Sequence, residues 1–453
     1  MAARLVHASA PAGRGIAALG DASPGALLLA VAVPLLFLHR AYQPALDLHL
    51  GATTVTAYLA DFAVLAAVLA ALAAGLREGW SGLRPGRVLW LVGAAFLVWV
   101  GLEVLYGHHR SASYATTSHL VSALKFAEYL LLAPAIALLV RTRDDLLALL
   151  WGLVLWTCAA TAAGIAQFLG ADILLKHFTG GRTSSFIGYD DYSALAVGVL
   201  LVGLAGLVLP RLGLGRALIS AAILAGGIGG ILSGALAAVL GLVTAAAVLA
   251  LLLRLGREGE LRRVAAGAAI VAVVSLGAVA IRSSDLSAFA RFLGASQQKQ
   301  ANVQTYSHRT LLAWIGWEIW KGHPLLGVGW LGSAEPASFE PYLPAAHARF
   351  PTLSKLDFPS RAHPWGVQDA WIQSGADLGV VGFLLWAGSF AAAAWVALRG
   401  GVRRVGAAPL LGLLGVAALL WLFTAQGFFA GIPLDGLLAL AFGLAATRTQ
   451  EAR

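Results

Sequence analysis

The chain has very little of what a soluble, disulfide-bonded or metal-binding protein needs. Its 453 residues include a single cysteine, Cys158 in an apolar run, so neither a disulfide framework nor a cysteine-based metal site is expected. Only 12% of the chain is charged, whereas 59% is hydrophobic and the mean hydropathy is +0.81. Because so little polar surface cannot cover a soluble globule, the composition indicates a polytopic membrane protein.

Apolar runs long enough to cross a bilayer recur along the sequence. A span takes about 20 residues, and this length predicts an all-α protein with about twelve transmembrane helices. The predicted spans are 25–39, 52–75, 87–106, 117–140, 145–169, 191–209, 216–232, 234–253, 264–282, 369–398, 407–430 and 432–447.

These spans predict the organisation of the chain. Residues 1–24 form a flexible tail, 25–282 hold nine spans, 283–368 form one large loop with amphipathic helices, 369–447 hold three more spans, and 448–453 form a second tail. A loop of this length between membrane helices is usually there to hold a site. We therefore expect the functional residues in and around residues 283–368.

The distribution of Lys and Arg predicts the orientation. If the N-terminus is inside, the inner loops are rich in arginine, as between residues 254 and 263. The short outer loops hold only Arg40, Arg110, Lys176 and Arg182. The bias predicts cytoplasmic termini and an extracytoplasmic 283–368 loop. Since topology accounts for the net charge of +9, no nucleic-acid partner is expected.

Three polar strings stand out against the apolar background. The first, GGRTSSFIGYDDY, contains Arg182 on the outer side, where the charge bias does not explain an arginine. This residue either touches lipid phosphates at the interface or binds a diphosphate, since the guanidinium fork matches phosphate oxygens. The second, SHRTLLAWIGWEIWKGHPLLGVGW, is an amphipathic helix led by Arg309 and broken at Gly322 and Pro324. Its His323 is either a base or a polar residue at a helix end.

The third string, RAHPWGVQDAWIQSGADLGVVG, leads into the tenth span. Asp369, Gln373 and Asp377 are four residues apart and share one helix face as the chain enters the membrane. Carboxylates at such depth often mark function, although they also pair with arginines for structure alone.

In order and spacing, the three strings resemble the O-antigen ligase and O-antigen polymerase superfamily of bacterial membrane glycosyltransferases. The residues that carry the resemblance are Arg182 in GRTSSF, Arg309 followed by HPLLGVG, and the Asp377-Leu378-Gly379 string. The sequence departs from the family at two places. The position of the family's histidine falls on Gln368, with His363 the nearest histidine, and Ser233-Gly234-Ala235 lacks the arginine that many members carry after the serine.

The resemblance implies a GT-C-like enzyme that transfers a glycan from a polyprenyl (undecaprenyl) diphosphate carrier to an acceptor hydroxyl. It implies the bacterial inner membrane, an active site on the periplasmic or extracellular face, and a polymerase or a ligase. The expected partners are the lipid-linked donor, a glycan or lipid acceptor, and membrane lipids. No metal and no cofactor are expected.

This chemistry assigns roles to the candidate residues. The departing diphosphate must meet positive groups held in place beforehand, so Arg182 and Arg309 are predicted to bind it, with Arg291 and Arg361 behind them. The acceptor hydroxyl needs a general base. His363 is the first candidate, and Asp369 and Asp377 are its rivals. The remaining polar candidates for contacting the glycan or acceptor are Gln368, which cannot titrate, and His323.

A transporter or lipid flippase is the alternative function, because it would have the same number of spans. Transporters keep their sites near the midplane, often on broken helices in repeated halves, whereas this chain concentrates its polar residues in one outer loop. The sequence leaves open whether the enzyme is a polymerase or a ligase, and which sugars it joins.

Overall fold

The computed structural model describes residues 18–50, 53–174, 181–294, 303–399, 401, 405–427 and 432–449. Most of each predicted tail, residues 1–17 and 450–453, lies outside the described residues. Two short strands and eighteen α-helices follow one another along the described chain. The strands are β1 (Ala45–Leu50) and β2 (Thr53–Tyr58). The helices are α1 (Ala18–Asp21), α2 (Pro24–Leu35), α3 (Leu59–Glu78), α4 (Arg87–Arg110), α5 (Thr116–Leu130), α6 (Leu132–Leu139), α7 (Arg143–Phe168), α8 (Tyr189–Val208), α9 (Arg216–Ser233), α10 (Leu236–Gly256), α11 (Leu261–Ile281), α12 (Ser283–Leu293), α13 (Thr305–Gly322), α14 (Pro336–Phe339), α15 (Leu343–Arg349), α16 (Ala370–Leu398), α17 (Ala407–Leu422) and α18 (Ile432–Ala446).

Within the described ranges, nine helical segments are long and apolar enough to cross a membrane. They are α3, α4, α5 with α6, α7, α8, α9, α10, α11 and α16. The shorter apolar helices α2, α17 and α18 occupy the other three predicted positions. Because a helix rises only about 1.5 Å per residue, these helices are shorter than the span of about 20 residues that crosses a bilayer. The mostly helical, polytopic membrane architecture is therefore confirmed, while the count of twelve spans stays a prediction.

The predicted span 52–75 is wrong at its start. Residues Thr53–Tyr58 form β2, which pairs antiparallel with β1, and helix α3 begins only at Leu59. The sequence TTVTAY is rich in β-branched residues, which favour a strand, yet it is apolar enough to merge with the following helix in a hydropathy reading. A hairpin therefore precedes α3.

Helix α8 lies at the centre of the bundle and α11 at its edge. In their apolar stretches 83% of the α8 residues are buried, against 17% in α11. Helix α9 approaches α8 so closely that a β-carbon on Gly226 would lie 2.6 Å from the carbonyl oxygen of Ala196. Small residues allow this approach in membrane helices. The contact places the start of α8 beside the end of α9, where the candidate site lies.

The segment between α11 and α16 is folded against its own small core. Leu311, Ile315 and Ile319 on one face of α13 pack with Phe339 and Phe358 from the following turns. Short helices α14 and α15 interrupt a region in which the frequent prolines favour irregular structure. Residues 295–302 lie outside the described part of the chain. The side of the membrane on which this segment lies stays a prediction.

Candidate active site

A cavity of about 370 Å³, lined by charged and apolar side chains, lies at one end of the helix bundle. We call it the arginine cavity. It is enclosed by the residues before α8, the turn between α9 and α10, the end of α11, helices α12 and α13, the start of α16 and the end of α17. Its charged lining residues are Arg182, Asp190, Arg282, Arg309 and Asp369.

Arg182 is fixed in the wall of the cavity and is only 3% exposed. Its Nη2 atom donates to Oδ1 of Asp190 at 2.6 Å, and its Nε atom donates to the backbone carbonyl of Ser233 at 2.6 Å. The next residue joins the same turn, because the backbone N–H of Thr183 donates to the carbonyl of Leu232 at 3.0 Å. The arginine is thus preorganised by the close packing of α8 on α9.

Arg309 reaches the same carboxylate from the first turn of α13. Its Nη2 atom lies 3.5 Å from Oδ2 of Asp190, and its Nε atom lies 3.4 Å from Oε1 of Gln368. Both distances are at the outer limit of a hydrogen bond. The structure therefore brings Arg182 and Arg309 together on one carboxylate, and it leaves Arg309 held more loosely than Arg182.

Arg282, the last residue of the predicted span 264–282, is a third arginine in the cavity. It follows α11, is 2% exposed, and its Nη1 atom forms an ion pair with Oδ2 of Asp285 at 2.9 Å. Its Nη2 atom also donates to the hydroxyl of Tyr306 at 3.1 Å. A β-carbon on Gly234 would lie 3.5 Å from the Cγ atoms of both Arg182 and Arg282. Arg282 thus lies beside the position that lacks the family's arginine.

Asp369 provides a carboxylate at the start of α16. Its Oδ1 atom accepts hydrogen bonds from the backbone N–H groups of Trp371 at 2.9 Å and Ile372 at 3.1 Å, so it caps the helix. Burial raises the pKa of Asp369 to about 6, although these two hydrogen bonds act in the opposite direction. A carboxyl group with a pKa near neutrality is suited to accept a proton at physiological pH.

The remaining wall of the cavity is largely apolar. Leu236 and Leu240 of α10 face it, as do Leu286 and Phe289 of α12 and Leu422 of α17. The arginine cavity therefore joins positive charge to an apolar surface, the combination that an anionic lipid head group and its chain require.

The Pro-Leu-Leu-Gly-Val-Gly string packs onto a kink in α16. Gly379 has a φ of +66°, and a β-carbon there would lie 2.0 Å from the carbonyl oxygen of Leu325. The backbone N–H of Val380 donates to the carbonyl of Pro324 at 2.8 Å, and that of Gly329 to the carbonyl of Asp377 at 2.9 Å. We call this contact between residues 324–333 and 373–380 the interlock.

Asp377 belongs to the interlock and is completely buried. Its Oδ1 atom accepts from the backbone N–H of Ser333 at 2.7 Å, and its Oδ2 atom accepts from Nε2 of Gln373 at 2.8 Å. Both oxygens are engaged, and Asp377 is not among the residues lining the arginine cavity. The predicted face of Asp369, Gln373 and Asp377 thus divides between the cavity and the interlock.

The other predicted site residues do not line the cavity. Among them, Gln368 is next to it, because its side chain contacts Arg309. His363 and Arg291 are exposed. Arg361 is also exposed and forms an ion pair with Glu340. The hydrogen bond from the Arg361 guanidinium group lowers the pKa of Glu340 below its usual value. His323 lies 3.2 Å from Arg110, and burial together with that charge lowers the pKa of His323. Their predicted roles stay predictions. In the described ranges no three His, Cys, Asp or Glu residues are grouped to hold a metal ion.

Part of the chain matches a known family. The family model for O-Antigen ligase covers residues 219–387. Arg282, Arg309, Asp369 and the interlock lie within this range, whereas Arg182 and Asp190 precede it. No curated protein sequence matches the chain. The family match implies a bacterial membrane enzyme that uses lipid-linked glycan and acceptor substrates, and nothing supports the transporter alternative. Over residues 219–387 the chain is therefore similar to the O-Antigen ligase family, which supports an O-antigen ligase/polymerase assignment.

Proposed function

We propose that the protein transfers a glycan from a polyprenyl diphosphate to an acceptor hydroxyl, with the arginine cavity as its active site. One observation carries the proposal. Three arginines and the carboxyl group of Asp369 line one cavity beside an apolar wall. The cavity thus offers a place for the diphosphate, a proton acceptor and a surface for the isoprenoid chain.

The arginines act on the leaving group. When the bond between the anomeric carbon and the phosphate oxygen breaks, negative charge develops on the diphosphate. Guanidinium groups held in place beforehand stabilise this charge without reorganisation. Arg182 and Arg282 are fixed by short contacts, whereas Arg309 has partners at 3.4 and 3.5 Å and is free to turn toward the phosphates. Arg309 is therefore assigned the strongest contact with the leaving group.

Asp369 accepts the proton of the acceptor hydroxyl as the new glycosidic bond forms. The hydroxyl oxygen attacks the anomeric carbon, its proton passes to the carboxylate, and the diphosphate departs with the bonding electron pair. Because the pKa of Asp369 is about 6, the carboxylate is ionised at pH 7 and still has a useful affinity for a proton. His363 remains the rival base.

The cavity is assigned to the extracytoplasmic face. Helix α10 begins at the cavity and α11 ends there, so Arg254, Arg257, Arg262 and Arg263 lie at the opposite ends of these two helices. Such clusters of arginine belong on the cytoplasmic side. This supports an active site that faces the periplasm or the cell exterior.

Release of polyprenyl diphosphate tests the proposal. The purified protein is incubated with a polyprenyl-diphosphate glycan and an acceptor glycan or lipid, and the freed lipid diphosphate is quantified. We expect release that depends on the acceptor and is unchanged by excess EDTA. Arg309→Ala is expected to lower turnover by about 10²–10³-fold.

Arg309→Lys is the matched variant. It keeps the charge but loses the planar fork, so we expect a turnover between those of Arg309→Ala and the wild type. Release by Arg309→Ala at the wild-type rate, or no release from any donor of this class, would contradict the proposal. Unfolding temperatures of both variants show that lost activity is not lost folding.

A further inference from the structure

We propose that Trp365, with His363 stacked beside it, is a binding platform for a pyranose ring of the acceptor glycan. The inference rests on the proposed function, because it supplies the acceptor side of the same reaction. Trp365 lies in the segment that connects Asp357 to Asp369. The side chains of Phe358 and Val367 are buried, whereas residues 360–365 between them are exposed.

The exposed turn is held rigidly. The backbone N–H of Ser360 donates a hydrogen bond to the carbonyl of His363 at 2.9 Å, and the N–H of His363 donates one to the carbonyl of Ser360 at 3.1 Å. The N–H of Trp365 also donates to the carbonyl of His363, at 2.8 Å. A rigid aromatic side chain loses little conformational entropy when it binds a ligand.

The two aromatic rings form one surface. The imidazole of His363 and the indole of Trp365 are 5.9 Å apart between centroids and inclined by only 19°. The indole remains 39% exposed. Aromatic faces carry partial negative charge and attract groups with positive edges. The C–H face of a pyranose ring presents such groups, so it can pack flat on the indole.

A buried pair supports the platform from below. His308 meets Trp365 edge-on at 5.5 Å between ring centroids, with an angle of 84°. Nδ1 of His308 lies 3.6 Å from Oδ1 of Asp357, and Asp357 is completely buried. His308 therefore packs against both the indole and the buried Asp357, which places Trp365 next to α13.

The platform is linked to the arginine cavity by two short stretches of chain. His308, which contacts Trp365, immediately precedes Arg309, which lines the cavity, on α13. Trp365 also precedes Asp369 by four residues, so their Cα atoms are at most about 14 Å apart. A sugar on the indole can thus direct a hydroxyl of the same or the next ring toward Asp369.

Sugar binding without the donor tests the platform. The probes are three neutral trisaccharides built from glucose, galactose or mannose, and saturation-transfer NMR measures their affinity for the full chain in detergent. We expect the wild type to bind at least one of them. Trp365→Ala is expected to weaken binding by about tenfold, and Trp365→Tyr, which keeps an aromatic face, by less than about threefold.

Trp317→Ala is the control, because Trp317 on α13 is exposed at 46% but contacts Trp320 rather than the platform. Its affinity should equal that of the wild type. Wild-type affinity in Trp365→Ala, an equal loss in Trp317→Ala, or no binding of any trisaccharide by the wild type would overturn the proposal. Binding is measured without turnover, so a protein that binds sugar through Trp365 but never releases polyprenyl diphosphate would refute the proposed function alone.

Discussion

The arginine cavity and the interlock are both built from polar groups at the same end of the bundle, but they differ in how completely those groups are satisfied. In the interlock, both carboxylate oxygens of Asp377 accept short hydrogen bonds. In the cavity, the partners of Arg309 within the described ranges lie at 3.4 and 3.5 Å, and the side chain lines the open volume. Complete satisfaction is typical of structure, whereas a loosely held charge beside a cavity indicates a group that awaits a ligand.

The largest effect is expected in the interlock, from Gly379→Ala. The φ of +66° strains any side chain, and the added β-carbon would lie 2.0 Å from the backbone oxygen of Leu325. We expect destabilisation by at least about 4 kcal/mol, seen as a lost yield of monodisperse protein or a much lower Tm. Gly101→Ala is the control, because a β-carbon there would meet nothing within 4 Å beyond its own helix backbone and chain neighbours in the described part of the chain. Its effect should stay within about 1 kcal/mol. Equal Tm values would show that the interlock is not rigid.

The next effect is expected in the cavity, from Asp369→Asn. The amide oxygen can still cap α16, but the base is lost, so turnover should fall by about 10²–10⁴-fold. Burial raises the pKa of Asp369 to about 6, and the ionised form is the active one. The wild-type rate should therefore fall as the pH is lowered through about 6, and any residual rate of the variant should not. A pH limb that disappears in His363→Ala instead would move the base to His363.

A smaller effect is expected from Arg282→Gln, which keeps a donor for Tyr306 but removes one charge from the cavity. We expect about a tenfold loss in kcat/KM for the lipid-linked donor, since two arginines remain. Arg291→Gln is the matched control, because Arg291 is exposed on α12 and does not line the cavity. Equal losses in the two variants would return Arg291 to the diphosphate site.

The smallest effect is expected from Asp377→Asn. Its oxygen can still accept from Ser333, and the Gln373 amide can turn to accept from the new NH₂ group. We expect turnover within about twofold of the wild type, because the hydrogen bonds of the interlock persist. A loss of a hundredfold at unchanged Tm would mean that Asp377 takes part in the reaction and that satisfied hydrogen bonds do not separate the two regions.

Hydropathy and motif spacing predicted the helical membrane architecture and singled out Arg182 and Arg309, which share one carboxylate in the structure. The hairpin was missed, because a short run such as TTVTAY is apolar in either a strand or a helix. Arg282 was missed because its partners are set by tertiary packing. The pattern 369, 373, 377 placed Gln373 and Asp377 on α16 and Asp369 at its N-cap, but it contained no information about what that end of the helix packs against. Only the fold separates Asp369 in the cavity from Asp377 in the interlock.

The carboxylate of Asp190, shared by Arg182 and Arg309, has a consequence for the resting enzyme. Under the proposed function, Asp190 is the anion that a diphosphate would displace from Arg309, because that contact is the longer one, at 3.5 Å. Arg182 would keep its contact with the other carboxylate oxygen at 2.6 Å. Donor binding and release would then exchange one anion for another at Arg309, so the guanidinium group would keep a negative partner throughout.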